Sequence, residues 1–161
     1  MYISCLIGFI IIFLYCAIIT VKDREMPNSI SQIVYSLSEK WKWTFSAVLV
    51  TVAFMIVPQL MTVVDEEYRF LSFFVVLGIL GVAADPLVKG ESNHVHYASA
   101  VIMGVSSQIL VYIMNPYLLL LWFPYVVYTF VTEDGRKNMF LGEMVMLMNT
   151  ACICLLKITL D

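Results

Sequence analysis

Two histidines, His94 and His96, stand one residue apart in the polar turn D-P-L-V-K-G-E-S-N-H-V-H at 85–96, and the chain has no others. With Asp85 at the head of that turn they form the combination best suited to a catalytic zinc, which needs three ligands from His, Asp, Glu or Cys and a fourth position open to water. Their spacing sets a condition. His94 and His96 point to one side only if the backbone is extended, because on a helix they diverge by about 200°. Otherwise His94 hydrogen-bonds near the start of the following helix and His96 lies at its polar rim. A second set of side chains suits binding. Ser29 and Ser31 follow Pro27 in P-N-S-I-S, Gln108 interrupts an apolar run at 95–114, and Glu143 interrupts another at 139–157. A charge inside such a run is costly unless it is paired or faces a wet cavity, so Glu143 is expected to face the interior, near a polar group such as Gln108 or a histidine. The sequence contains no G-x-S-x-G, phosphate-binding loop, C-x-x-C or H-E-x-x-H.

The elements that must position these side chains are set by composition. Of 161 residues, 61% are apolar or aromatic and 13% charged, with a mean hydropathy of +0.91, whereas soluble domains carry about 25% charged residues. The expected fold is an all-α integral membrane protein, one domain over 1–161. Six apolar runs at about 2–21, 44–64, 70–88, 95–114, 117–131 and 139–157 read as membrane-spanning helices. The fifth is short and contains Pro124, so a five-span bundle with 116–131 re-entrant is the alternative. Run 2–21 lacks the basic start and small-residue cleavage site of a secretory signal and is expected to be retained. The four cysteines, at 5, 16, 152 and 154, all fall inside spans, where a thiol behaves as a small apolar group. A bridge between Cys5 and Cys154 is compatible with their shared depth. The net charge of −3 argues against nucleic acid as a partner.

Between the first two spans, Ile30, Ile33, Val34, Leu37 and Trp41 recur at helical spacing, predicting a short interfacial helix near 29–41 with Trp41 and Trp43 at headgroup level. In the second span Pro58 predicts a kink. Gly78, Gly81 and Asp85 share one face of the third span, and Ala100, Gly104, Ser107 and Gln108 form a narrow stripe on the fourth. These two small-residue stripes predict that the third and fourth spans pair through them. Of the nine lysines and arginines, Lys22, Arg24, Lys40, Lys42, Lys89, Arg136 and Lys137 lie in odd-numbered loops, against Arg69 and Lys157 on the other side. That asymmetry predicts odd loops in the cytoplasm and both termini outside it. It also gathers Ser29, Ser31, Asp85, His94 and His96 at one cytoplasmic mouth, with Glu143 about one turn inside.

Three short motifs carry a resemblance. P-N-S-I-S at 27–31, V-A-A-D-P at 82–86 and H-Y-A-S-A at 96–100 resemble the P-S-I-S loop, V-A-x-x-P helix end and H-Y/L-x-x-A helix start of a group of bacterial multi-pass membrane proteins related to the DRAM type. The likeness covers roughly residues 10–115. Asn28 is inserted into the loop motif, Asp85 replaces an apolar residue, and Ser36 stands where an aromatic or histidine is expected. The resemblance implies a multi-pass bundle in a bacterial inner membrane and implies no activity. Membrane hydrolases of the alkaline-ceramidase type use three histidines, and this chain has two. The leading expectation is therefore a non-enzymatic binding, sensing or partner-binding module, meeting membrane lipids and either a protein partner or a second copy of itself. The alternative is a membrane-embedded, zinc-dependent lipid hydrolase using His94, His96 and Asp85. Proton or solute transport ranks third, since only Glu143 and Asn149 would mark a path, and there is no internal repeat of the kind many transporters show.

Overall fold

A computed structural model describes residues 2–84, 86, 93–132 and 135–156, all of them in helices, turns or short connections with no strand among them. Seven α-helices occur among the described residues: α1 (Tyr2–Asp23), α2 (Ile33–Ser36), α3 (Lys42–Val63), α4 (Arg69–Ala84), α5 (Asn93–Met114), α6 (Trp122–Val131) and α7 (Gly135–Leu156). Four helical stretches, Tyr2–Asp23, Glu39–Val63, Glu66–Ala84 and His94–Met114, are long and apolar enough to cross a membrane. Pro116–Val131 and Met139–Leu155 are shorter apolar helical stretches.

Each of the longer helices buries part of its surface and presents the rest outward, whereas α6 has no buried residue. On α1 the buried residues Cys5, Phe9, Ile12 and Cys16 step along a single face, while Ile3, Leu14 and Ile18 are exposed. That is a helical period with apolar residues on both sides, as a helix surrounded by hydrocarbon requires. Arg24, just past the end of α1, turns the chain in the left-handed region with φ 55°. The Cys5 and Cys154 thiols meet between α1 and α7 as a hydrogen-bonded, unbridged pair. Helix α3 runs unbroken through Pro58. The Thr62 hydroxyl there donates to the carbonyls of Pro58 and Gln59, at 3.2 and 2.9 Å.

The expected helix over 29–41 is not continuous. Residues 29–35 form successive tight turns closed by i to i−3 bonds, from Gln32 N–H to Ser29 O and from Ile33 N–H to Ile30 O among others. They pass into the single turn α2, after which Leu37 and Ser38 are extended, with ψ 142° and 153°. Ser36 marks the break, since its hydroxyl competes with helical bonding by donating to Ile33 O at 2.9 Å. The apolar spacing still does its work, because Ile30, Ile33, Val34 and Leu37 are all buried.

Helices α4 and α5 pack on each other more extensively than any other pair. A Cβ at Gly78 would come 2.6 Å from Ser99 O and from Met103 Cβ, and one at Gly81 would run into Ser99 Oγ. The predicted pairing therefore holds, and so do Gly78 and Gly81 of its seam. The α5 half is corrected: Ser99 and Met103 meet the glycines, whereas Gly104 faces Met146 of α7 and Gln108 bonds Asn149 of α7. Because α4 takes the side of α5 that carries Ser99 and Met103, the stripe Ala100, Gly104, Ser107, Gln108 is turned by roughly a quarter of a circumference to α7. Of the four long stretches, the one in α5 buries the smallest share of itself.

Candidate functional site

Ser29 begins the tight turns after α1, and its hydroxyl caps them by accepting from Gln32 N–H at 3.1 Å and contacting Ser31 Oγ at 3.0 Å. The first N–H groups of a helical turn have no partner within it. For Ile30 that partner comes from the far end of the sequence: Glu143, on α7, accepts from Ile30 N–H through Oε2 at 2.5 Å. Among the described residues Glu143 takes part in no ion pair, and its one hydrogen bond is through Oε2. It is thus a carboxylate between helices with one oxygen used and one open.

Around that carboxylate lies a cleft of about 620 Å³ between the 28–35 turns, the start of α5 and the start of α7. Ser29, Ser31, Gln32, His96, Ala100 and Glu143 are among the residues that line it. Inward, past Ser31, His96 and Glu143, it meets a narrow apolar chamber of about 60 Å³ walled by side chains such as Ile12, Leu49, Val52 and Ile79. Outward it joins a shallow apolar groove of about 580 Å³ along α5, through Val101 and Met146, which both spaces share.

Four of the seven residues singled out in the sequence, Ser29, Ser31, His96 and Glu143, thus share one cleft. Gln108 does not reach it. It belongs to a second polar cluster further along α5, where its Oε1 accepts from Trp122 Nε1 at 2.8 Å and from Asn149 Nδ2 at 3.2 Å. Turned over, the Asn149 amide donates to Leu118 O at 3.1 Å and accepts from Trp122 Nε1 at 3.0 Å. In either orientation the fully buried Asn149 is bonded by protein groups alone. Of the neighbours expected for Glu143, Gln108 is corrected, whereas a histidine, His96, does share its cleft, and the bond Glu143 makes is to a backbone N–H. Asp85 lies outside the described residues.

The zinc pairing fails its own geometric condition. Helix α5 starts at Asn93, so His94 and His96 are both helical and diverge. His96 lines the cleft, and the exposed His94 is not among its walls. Among the described residues no three of His, Cys, Asp and Glu come together as metal ligands.

The sequence reading missed Gln59, fully buried on α3 and donating to Cys154 O at 3.3 Å. An amide beside Pro58 in an apolar run was the available signal. It also missed the cleft wall formed by Asn28, Gln32 and Tyr35, for which no pattern stood out. No protein-family model matches the chain, and comparison with curated proteins and with solved structures gives no match.

Proposed function

We propose that this chain is a six-span integral membrane protein that acts as a non-enzymatic binding or sensing module, with the cleft at Glu143 as its ligand site. The observation that carries the reading is the half-used carboxylate. Glu143 sits beside a cleft large enough for a small ligand, with hydroxyl and amide groups of Ser29, Ser31 and Gln32 converging on the same space. A polar group spent on the fold alone has its partners supplied by the fold, as Asn149 does.

Two arguments support six crossings. The stretch Pro116–Leu121 is a 3₁₀-helix of 6 residues leading into the 10 residues of α6. At roughly 2.0 Å per residue for the first part and 1.5 Å for the second it reaches about 27 Å, close to the hydrocarbon thickness of about 30 Å. Helix α7 packs against α1, α3, α5 and α6, which suits a crossing helix more than a surface one. With six crossings the lysine and arginine distribution puts the cleft on the cytoplasmic side, both termini opposite, and a bacterial inner membrane is the compartment the resemblance suggests.

The test is native mass spectrometry of protein released from its membrane in mild detergent. Wild type is expected to carry a bound mass that Ala100→Trp, which fills the cleft, removes. A bound mass unaffected by that substitution, or none in wild type, would contradict the reading.

A further inference from the structure

We propose that the ligand of this cleft is a lipid bearing a primary ammonium group, its headgroup at Glu143 and its hydrocarbon chain in the groove along α5. The inference rests on the cleft being a binding site and names what it binds.

The headgroup follows from charge. Among the described residues lining the cleft, Glu143 is the only carboxyl group and there is no lysine or arginine, His96 being the one basic side chain. An anionic group brought there would oppose ionisation of this carboxyl, whereas a cation favours the carboxylate and completes the pairing that an intramembrane charge requires. The neighbouring wall is rich in acceptors: the Ser29 and Ser31 hydroxyls and the side-chain oxygens of Asn28 and Gln32. An ammonium with three N–H groups can donate to Glu143 and to this wall together. A quaternary ammonium has no N–H to give.

The chain follows from the spaces that adjoin the cleft. The inner chamber of about 60 Å³ holds a few waters at most and no long chain. The outer groove is open along the flank of α5 and has no polar surface. Val101 and Tyr112 mark its ends, eleven residues that rise about 16 Å, while one leaflet of hydrocarbon is about 15 Å deep. Gly104 keeps the groove shallow and continuous: a Cβ there would meet only Met146 Sδ, at 3.1 Å. A thioether can swing aside, so a larger residue at 104 would block the groove without distorting the backbone.

Delipidated full-length protein is incubated with a long-chain alkylamine, phosphatidylethanolamine, phosphatidylcholine or phosphatidylglycerol, and retained lipid is read by native mass spectrometry. The expected result is retention of an amine-bearing lipid about tenfold or more over choline and glycerol lipids, the ratio one charge-assisted hydrogen bond supplies. The first two arms distinguish a single-chain amine from a bilayer phospholipid as its source. Glu143→Gln should remove the preference, and Gly104→Leu should remove long-chain retention while the protein keeps its melting temperature. Equal retention of all four lipids, still abolished by Ala100→Trp, overturns the amine assignment and leaves the cleft standing. A dimer mass in place of bound lipid, dispersed by Gly104→Leu, overturns it in favour of a second copy in the groove. Retention insensitive to Ala100→Trp, or none of any kind, overturns the site itself.

Discussion

Helix α5 carries small residues on two faces, and the bundle treats them in opposite ways. Toward α4, Gly78 and Gly81 are pressed onto Ser99 and Met103 so closely that no side chain fits. Toward α7, Ala100 lines the cleft and Gly104 lies under a groove with only the tip of Met146 nearby. The first arrangement lets two backbones approach, which is how helices associate where lipid tails offer no hydrophobic drive. The second leaves open space beside the helix. Small residues at helical spacing therefore signal proximity to a neighbour without saying whether that neighbour is a helix or a ligand.

The polar residues divide along the same line. Gln108 accepts from Trp122, and Asn149 bonds Gln108 in one orientation of its amide and Leu118 O with Trp122 in the other, so a network joins α5, α6 and α7 either way. Glu143 gives one oxygen to Ile30 N–H and leaves the other to the cleft.

Substitutions can break or sharpen this contrast. The largest effect is expected at the closed face: Gly81→Leu drives a side chain into Ser99 and should cost at least about 3 kcal/mol, by overpacking and loss of helix approach, seen as a collapse of the melting temperature in detergent. Next, Asn149→Leu removes the bond to Gln108, leaves Trp122 its own bond to Gln108, and should cost about 1–2 kcal/mol with ligand retention unchanged. A loss of ligand with wild-type stability would show that the buried network belongs to the site. Ser29→Ala removes the cap on Gln32 N–H and should cost about 0.5–1 kcal/mol in the same thermal assay. Glu143→Gln keeps an acceptor for Ile30 N–H and should shift stability by no more than about 0.5 kcal/mol, while headgroup preference disappears. Were it to unfold the bundle, Glu143 would be a structural cap and the contrast with Asn149 would fail.

How far the sequence is readable follows from which interactions are local. The apolar runs that become α1, α3, α4 and α5 are visible because hydropathy acts residue by residue. Asn115-Pro116 likewise announces its turn: the Asn115 side chain accepts from Tyr117 N–H at 3.1 Å with proline at the first helical position. Ser29, Ser31 and Glu143 could be named as polar residues near one end. Their juxtaposition could not, since the bond between Ile30 and Glu143 joins residues 113 apart in sequence. The α5 stripe was assigned to α4 because sequence neighbours usually pack together. They do here, but through Ser99 and Met103, and a rotation of α5 is invisible to a spacing argument. The helix expected over 29–41 breaks at Leu37 for a reason of hydroxyl chemistry that apolar periodicity does not record.

The most direct measurement is native mass spectrometry of Gly104→Leu beside wild type, with melting temperature recorded on the same samples. The account predicts an intact, equally stable protein that has lost its bound lipid. A protein that still holds the lipid, or one destabilised as severely as Gly81→Leu, would mean that the α7 face of α5 is one more helix seam and no binding groove.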